Sequence, residues 1–247
     1  MTPDILCLTG CDESFAPLAD ISVRSLRHYC QRHGFSLTFQ PLAKGDRSAS
    51  WGKIPLIQGA FRQGAEFVWW VDADALVVDP SRSIREVIEP GKDCYFVQHD
   101  DGRRSKPNAG IMLLRNSPWM MDFLQRVWDL EVYVDHKWWE NAAIIHLLSR
   151  ESFADEGITD DRDRVDDTYV KWLDPAWNSI PYVQHGRFAS PHPIINHYAS
   201  LPFKYRLASM HRDFQRSPAG REASASTPTW FQQWRRLRRM RRFEEQG

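Results

Sequence analysis

Alternating apolar and polar stretches divide the sequence into strands and helices, and one predicted strand dominates the pattern. Apolar residues run without a break from Phe67 to Val71 into Asp72-Ala73-Asp74, and a second apolar segment covers residues 75–78. Such a run predicts a strand buried on both faces. In an open α/β sheet, ligands bind beyond the carboxyl ends of the strands. The pattern therefore predicts that this strand delivers two carboxylates to a binding crevice. A turn that Asp72 and Asp74 only cap is the alternative.

The residues before this strand predict a βαβ unit. Residues 5–8 form a short apolar run, a helix pattern follows and stops at His33-Gly34, and residues 35–39 alternate as a strand. This order predicts parallel pairing of the strands. The turn Thr9-Gly10-Cys11-Asp12 would then face the same crevice as the Asp pair, and its glycine lets the backbone approach a ligand closely.

A lysine at the start of the second predicted helix is a candidate for the same crevice. Residues 48–55 open this helix, which runs to about Gly64 and leads into the Asp strand. Near a helix start, Lys53 could meet a phosphate together with free backbone N–H groups. A solvated surface lysine is the alternative interpretation.

Small residues before another apolar run suggest a close approach of the backbone. A predicted strand at residues 94–97 and a polar loop at 98–107 precede Asn108-Ala109-Gly110, which opens the apolar run 111–114. Small residues at such a place indicate close passage to a bound molecule or tight packing against a neighbouring strand, and the pattern does not separate the two.

A predicted helix from about Lys137 to Leu148 carries a Glu-Asn pair in its first turn. There Glu140 and Asn141 can project into a cleft, although Glu140 would also complement the helix dipole. The acid-rich residues 155–167 predict a surface loop. Residues 170–173, 177–181 and 193–198 predict short strands.

Composition narrows the class of protein. The chain has 247 residues, of which 42% are hydrophobic and 26% charged, as in a soluble globular protein. Its 32 basic and 32 acidic residues balance, which argues against nucleic acid as a partner. Neither a membrane-spanning run nor a signal-peptide pattern is visible, so we expect a cytoplasmic protein with reduced cysteines.

The charge is uneven at the C-terminus, which suggests a division of the chain. We expect one domain over residues 1–212, a flexible linker over 213–229 and a basic helix or tail over 230–247, where six arginines lie. Trp230, Trp234, Leu237 and Met240 share one arc of a helix, which is typical of binding to an anionic membrane surface, but Arg241 interrupts that arc. A helix docked on its own domain and a disordered tail are the alternatives.

Several segments taken together resemble glycosyltransferase family 34, the galactosyl, xylosyl and α-mannosyl transferases. They occur in the family's order between about residues 4 and 206, and no single segment is specific. The matching segments are Ser50-Trp51-Gly52-Lys53-Ile54-Pro55 and residues 67–75, 108–119, 139–143 and 191–198.

The resemblance implies a GT-A fold, which is a Rossmann-like, open, twisted and mostly parallel sheet flanked by helices. It implies that Asp72 and Asp74 hold a divalent metal on the diphosphate of a nucleotide sugar, with His197 as third ligand, although a lone histidine in an apolar strand is more often a core residue. The imidazole favours Mn²⁺ over Mg²⁺. The donor would be a UDP- or GDP-sugar and the acceptor a glycan or a lipid-linked hydroxyl.

These patterns and the resemblance together give a set of candidate site residues. Glu140 and Asn141 are the catalytic candidates, to stabilise the cationic sugar or orient the acceptor. Retention of configuration, which the resemblance implies, gives Glu140 no role as the base of an inverting reaction. The candidate contacts to the nucleotide sugar are Thr9, Gly10, Cys11, Trp51, Lys53, Asp72, Ala73, Asn108, Ala109, Gly110 and Lys204.

The sequence departs from the family in one motif and leaves two other functions open. The family usually has Gly-Cys soon after the late histidine, whereas Ala199-Ser200-Leu201 stands here. Many eukaryotic members also carry an N-terminal membrane anchor that this sequence lacks, which suggests a bacterial-type cytoplasmic enzyme.

An Asp-x-Asp after an apolar strand also begins haloacid-dehalogenase-type phosphatases, with the first Asp as nucleophile. An inactive protein that only binds a sugar or nucleotide is the remaining alternative.

Overall fold

The structure is a computed structural model that describes residues 4–42, 45–161 and 163–222. Its strands are β1 (Ile5–Cys11), β2 (Ser36–Pro41), β3 (Phe67–Val71), β4 (Ala75–Val77), β5 (Cys94–Asp100), β6 (Ser105–Arg115), β7 (Val170–Leu173) and β8 (Ile195–His197). Its α-helices are α1 (Ala16–His33), α2 (Lys53–Arg62), α3 (Pro118–Asp129), α4 (Glu140–Leu148), α5 (Phe203–Arg216) and α6 (Pro218–Glu222). Short 3-10 helices cover Glu13–Phe15, Ala49–Gly52, Ile84–Val87, Glu131–Tyr133, Ala154–Glu156, Asp167–Tyr169, Pro175–Asn178 and Gln184–Gly186.

A six-stranded sheet in the order β2-β1-β3-β6-β5-β7 forms the centre of the fold. β1 pairs in parallel with β2 and β3, and β5 pairs in parallel with β7, whereas β6 is antiparallel to both of its neighbours. The predicted βαβ unit and the mostly parallel sheet are therefore confirmed. Gly34 ends α1 in the left-handed conformation, with φ of 71°, which suits a residue without a Cβ.

The central strand β3 is buried on both faces, as its sequence predicts. Val68 and Trp70 point into a core shared with residues of α2, α3 and α4. Trp69 and its alternate neighbours point into a second core with Leu26 and Tyr29 of α1. Because successive side chains of a strand face opposite sides, an apolar residue is needed at every position of β3.

A small second sheet brings the end of the domain back to the end of β3. β4 pairs antiparallel with β8, and this register sets Ala75 opposite His197. The two carboxylates that follow β3 and the late histidine thus come from segments more than a hundred residues apart. The short ladder between β4 and β8 determines where they meet.

Two predicted loops or turns are more regular in the structure, and one predicted strand is less regular. β1 continues to Cys11, so residues 9–11 belong to a strand, and a Cβ at Gly10 would lie 2.4 Å from the Gln40 carbonyl oxygen of β2. Most of the predicted loop 98–107 is the hairpin of β5 and β6, in which only residues 101–104 lie outside the strands. Residues 177–181, predicted as a strand, begin in a 3-10 helix and continue as isolated bridges.

The predicted linker is wrong in its first part, because residues 213–216 belong to α5 and residues 218–222 form α6. Ser217 separates α5 from α6, and its hydroxyl donates to the Phe214 carbonyl and accepts from the Gly220 N–H. Phe214 and Ala219 pack with Leu18 of α1 in a buried cluster. The remaining linker residues and the Arg-rich segment 230–247 lie outside the described residues. Within residues 4–222, apart from the two gaps, no helix is long and apolar enough to span a membrane.

Phe214→Ala tests whether α5 and α6 belong to the folded domain. Phe214 is 5% exposed, so we expect its truncation to lower the free energy of unfolding by about 3–5 kcal/mol. Tyr205→Ala on the same helix is the control, because Tyr205 is 65% exposed and should change stability by less than about 0.5 kcal/mol. Urea unfolding of the full chain measures both. If both variants changed the free energy of unfolding by the same small amount, α5 and α6 would not belong to the folded domain.

Candidate functional site

Asp72 is held in place by one of its two carboxylate oxygens. Its Oδ1 accepts from the Trp70 indole N–H at 2.6 Å and from Lys53 Nζ at 2.9 Å. Its backbone N–H donates to the Gly110 carbonyl of β6 at 2.8 Å. Desolvation and the neighbouring Asp74 raise the pKa of Asp72 above its usual value, although the Lys53 ammonium opposes this. Asp72 is thus fixed in orientation beside a second carboxylate.

Asp74 lies between a histidine and an arginine. Its Oδ1 is 3.4 Å from His197 Nε2, and its Oδ2 accepts from Arg206 Nη1 at 2.9 Å. Its backbone carbonyl accepts from the Tyr198 N–H, which ties this turn to the end of β8. Burial opposes ionisation of Asp74, but the His197 imidazole, when it is protonated, and the Arg206 guanidinium outweigh this effect and lower the pKa of Asp74 below its usual value. Asp74 is therefore a carboxylate near neutral pH.

Asp72, Asp74 and His197 form a set of candidate metal ligands. One ligand atom from each residue lies within 4.8 Å of the other two. Two carboxylate oxygens and one imidazole nitrogen suit a divalent cation of the first transition series. The donor set and its spacing thus fit the metal site that the resemblance implies, and this geometry does not support the alternative of a simple capped turn.

Lys53 is buried in a network of ionic interactions, which contradicts the alternative of a solvated surface lysine. The side chain is 2% exposed. Its Nζ donates to Asp72 Oδ1, to Glu140 Oε1 at 2.8 Å and to the Ala109 carbonyl at 3.3 Å. The two carboxylates outweigh burial and raise the pKa of Lys53, which keeps it charged. An ammonium has three hydrogens, and these three oxygens can accept all of them.

Glu140 faces Lys53 at the first turn of α4. Its Oε1 binds Lys53, and its buried Oε2 has no hydrogen-bond partner among the residues that the structure describes. A buried oxygen without a partner is costly and is often explained by a ligand or a water molecule. The residue before it, Trp139, is half exposed and has φ of 47°. Such backbone strain in a non-glycine residue is concentrated at functional sites.

Asn141 holds the backbone of β6 rather than projecting freely into a cleft. Its Oδ1 accepts from the Ala109 N–H at 2.9 Å, and its Nδ2 donates to the Pro107 carbonyl at 3.3 Å. The register between β5 and β6 shifts at this place, because Val97 pairs with Asn108 while Phe96 pairs with Met112. Asn141 thus clamps a bulge, and bulges beside active sites re-aim nearby groups.

The predicted close approach at residues 108–110 is a contact with His197. A Cβ built on Gly110 would lie 2.1 Å from His197 Cε1, so only glycine leaves room for the ring. Asn108 Oδ1 accepts from the Gly110 N–H at 2.9 Å and from Asn178 Nδ2 at 3.0 Å. Tight packing within the protein therefore accounts for the small residues.

The remaining predicted contacts are not gathered in one place. Thr9 and Trp51 are fully buried, so neither side chain is available to a nucleotide in this structure. Cys11 packs with Ala73 beside the Asp pair, and burial, with help from Asp12 and Asp74, raises the pKa of its thiol to about 12. Lys204 is exposed at the start of α5.

Arg206 and Asn178 are the site residues that the sequence does not reveal. Arg206 reaches Asp74 from α5, two residues beyond the predicted Lys204. Asn178 accepts from His197 Nδ1 at 3.0 Å. Both lie in segments of ordinary composition, and their partners are distant in sequence, so no local pattern marks them.

Comparison with known proteins shows a match to one family over part of the chain. Residues 2–92 match the model of the galactosyl transferase GMA12/MNN10 family, glycosyltransferase family 34. The chain is similar to this family over that part. The match includes Lys53, Asp72 and Asp74, and it confirms the resemblance drawn from the motifs.

The chain aligns with only part of the length of its curated relatives. An uncharacterised α-1,2-galactosyltransferase of Schizosaccharomyces pombe is 28% identical over 51% of the chain and 44% of its own length. A probable α-1,6-mannosyltransferase of Saccharomyces cerevisiae is 26% identical over 49% and 39%. A probable glycosyltransferase of Oryza sativa is 37% identical over 39% and 22%. The alignments thus span less than half of these relatives.

Solved structures show that the fold is GT-A. A glycosyltransferase involved in glycosylation of the major capsid of PBCV-1 superposes with a TM-score of 0.62 at 17% identity, over 85% of this chain and 100% of that one. The galactosyltransferase LgtC, in complex with donor and acceptor sugar analogs, superposes with a TM-score of 0.57 at 12% identity, over 92% and 99%. This fold and the family relationship argue against the haloacid-dehalogenase alternative.

Lys53→Met tests the ionic network. We expect the free energy of unfolding at pH 7 to fall by about 3–5 kcal/mol, because the buried Glu140 carboxylate and the partly buried Asp72 carboxylate both lose their cation. The pKa of Asp72, already raised, should rise further. The folded variant then binds more protons than its unfolded state. The loss in its free energy of unfolding should therefore become smaller as the pH falls from 7 to 5.

Urea unfolding at the two pH values measures this effect. Arg62→Met, an exposed position on the same helix, is the control and should change stability by less than about 0.5 kcal/mol. A Lys53→Met protein as stable at pH 7 as the control would contradict the network.

Proposed function

We propose that this chain is a metal-dependent glycosyltransferase that moves a hexose or pentose from a nucleotide diphosphate sugar to a hydroxyl of a glycan or lipid-linked acceptor, with retention. The observation that carries the proposal is the convergence of Asp72, Asp74 and His197 at the carboxyl end of β3, with ligand atoms within 4.8 Å of one another. In an α/β sheet, this edge is where ligands bind. The family relationship supports the class of reaction.

Asp72, Asp74 and His197 would hold the metal, and the imidazole favours Mn²⁺ over Mg²⁺. When bound, the cation supplies Lewis-acid stabilisation of the negative charge on the departing diphosphate. The charges of this chain suit that role. Among the residues that the structure describes, Lys53 and Arg206 are the lysine and arginine paired with the three carboxylates of Asp72, Asp74 and Glu140, and His197 beside Asp74 adds a charge only when it is protonated. The cluster is therefore negative by itself and attracts a divalent cation.

Arg206 is our candidate to share the charge of the leaving diphosphate. Its Nη1 lies 2.9 Å from Asp74 Oδ2, and its Nη2 donates to the Leu201 carbonyl at 2.8 Å. Its Nε is buried without a hydrogen-bond partner among the described residues. A fixed guanidinium beside the metal ligands stabilises developing negative charge without reorganisation. Arg206 takes the role for which the sequence suggested Lys53 and Lys204.

Glu140 is our candidate to stabilise the sugar as its bond to the phosphate breaks. Lys53 Nζ lies 2.9 Å from Asp72 and 2.8 Å from Glu140, so one ammonium links the two carboxylates. This arrangement holds the Glu140 carboxyl group close to the metal ligands. Its unpartnered Oε2 is the atom proposed to face the cationic sugar, while Asn141 acts only by holding β6.

Turnover with nucleotide sugars tests this proposal. We expect release of nucleoside diphosphate from one UDP- or GDP-sugar, dependent on Mn²⁺, and a loss of at least about 100-fold in Asp72→Asn and Asp74→Asn because a metal ligand is weakened. Asp122→Asn, on the exposed face of α3, should retain activity. Thermal unfolding shows that each variant is folded.

Two results would overturn parts of the proposal. Binding of a nucleotide sugar without turnover would favour the inactive binding protein. Full activity of Asp72→Asn or Asp74→Asn would remove these residues from the metal site.

A further inference from the structure

Asn178 occupies a buried position between the candidate metal site and the bulge of β6. It is fully buried at the end of the 3-10 helix Pro175–Asn178. Its Oδ1 lies 3.0 Å from His197 Nδ1, and its Nδ2 lies 3.0 Å from Asn108 Oδ1. The next residue, Ser179, donates its N–H to Ile195 and accepts from the His197 N–H, so this segment is tied directly to β8.

A series of hydrogen bonds joins Gly110, Asn108, Asn178 and His197, and a backbone group at its start fixes the direction of each bond. The Gly110 N–H can only donate, so the Asn108 atom that it meets at 2.9 Å must be the carbonyl oxygen. The Asn178 atom facing that oxygen must then be the NH₂ group. The other end of the Asn178 amide, which faces His197 Nδ1, is therefore its carbonyl oxygen.

A carbonyl oxygen only accepts, so Nδ1 of His197 must carry a hydrogen. A neutral imidazole has a single N–H, and its Nε2 then bears the lone pair. This Nε2 is the atom that lies 3.4 Å from Asp74 Oδ1. The Nε2 lone pair and the carboxylate oxygen repel each other, but both can bind the same cation.

We infer that Asn178 is a positioning residue that selects the Nδ1–H tautomer of His197 through a relay from the Gly110 N–H, by way of Asn108, and so presents Nε2 to a metal. Metal-binding histidines commonly donate their other ring N–H to an acceptor that orients the ring. Here the acceptor is a buried amide. Gly110 serves twice, because it begins the relay and also leaves space for the ring. The inference rests on the proposed function for its purpose, but the tautomer can be observed without any metal.

The tautomer is measured by long-range ¹H–¹⁵N correlation spectra of the ¹⁵N-labelled, metal-free full chain at a pH where His197 is neutral, with His197→Gln to assign its signals. We expect a protonated Nδ1 and an unprotonated Nε2 in the wild type. In Asn178→Leu, which removes the acceptor, we expect the proton to distribute between both nitrogens. In Asn178→Asp, which keeps an oxygen facing Nδ1, we expect the wild-type tautomer.

The second readout is the binding of Mn²⁺ alone, which electron paramagnetic resonance of the free ion measures. We expect Asn178→Leu to bind Mn²⁺ about 10–100-fold more weakly than the wild type, and Asn178→Asp to recover most of the affinity. Circular dichroism checks that both variants fold, and if Asn178→Leu does not fold, the spectra of the wild type and Asn178→Asp still decide the question.

The outcomes separate this inference from the proposed function. A wild-type His197 with its proton on Nε2, or an unchanged tautomer in folded Asn178→Leu, would overturn the relay. A wild type that shows the expected tautomer but binds no Mn²⁺ would support the relay and overturn the metal-dependent function.

Discussion

The ammonium of Lys53 is the point on which the site depends. It is buried between Asp72, Glu140 and the Ala109 carbonyl, with distances of 2.9, 2.8 and 3.3 Å. These partners belong to the end of β3, the start of α4 and the bulge of β6, and Lys53 itself begins α2. One charged group thus fixes four segments against each other. The network is costly to break, because the buried Glu140 carboxylate would lose its cation and the Asp72 carboxylate would keep only the Trp70 indole N–H.

The opposite side of the site is organised by amides rather than by charge. Asn141 holds the bulge of β6 through Ala109 and Pro107, while Asn108 and Asn178 connect the same bulge to His197. Ionic contacts therefore orient Asp72, and neutral hydrogen bonds orient His197. Both sets meet at residues 107–110, which explains why β6 departs from regular pairing with β5 at that position. The irregular backbone supplies N–H and carbonyl groups that a regular ladder would have used.

Much of the architecture follows from sequence patterns, because these report burial along one element. The apolar run before Asp72 predicted β3, and the strand, helix and strand order predicted the parallel pairs of β1 with its neighbours. The Asp pair and His197 came together as the family resemblance implied. The roles of Lys53, Arg206 and Asn178 were not visible, because each is set by a partner from a distant segment. A lysine that begins a helix has the same local pattern whether it is exposed or buried.

The errors in loops and linkers have the same cause. Polar residues such as Asp100 and Ser105 suggested a loop, but cross-strand pairing makes that segment a hairpin. Ser217 and Pro218 suggested a linker, although a serine followed by a proline also begins helices. In α6 the second possibility applies, since Ala219 is covered by α1 and α5. Tertiary contacts decide between such alternatives, and composition alone does not.

A cation between Asp72, Asp74 and His197 is the central requirement of the proposed function. Crystals of the full chain grown with Mn²⁺ and a nucleoside diphosphate, measured at the manganese absorption edge, locate the ion without reference to activity. We predict one strong anomalous peak within coordinating distance of a carboxylate oxygen of each aspartate and of His197 Nε2, with diphosphate oxygens completing the ligands. A peak bound elsewhere, or none at these three residues with the nucleotide in place, would contradict the account.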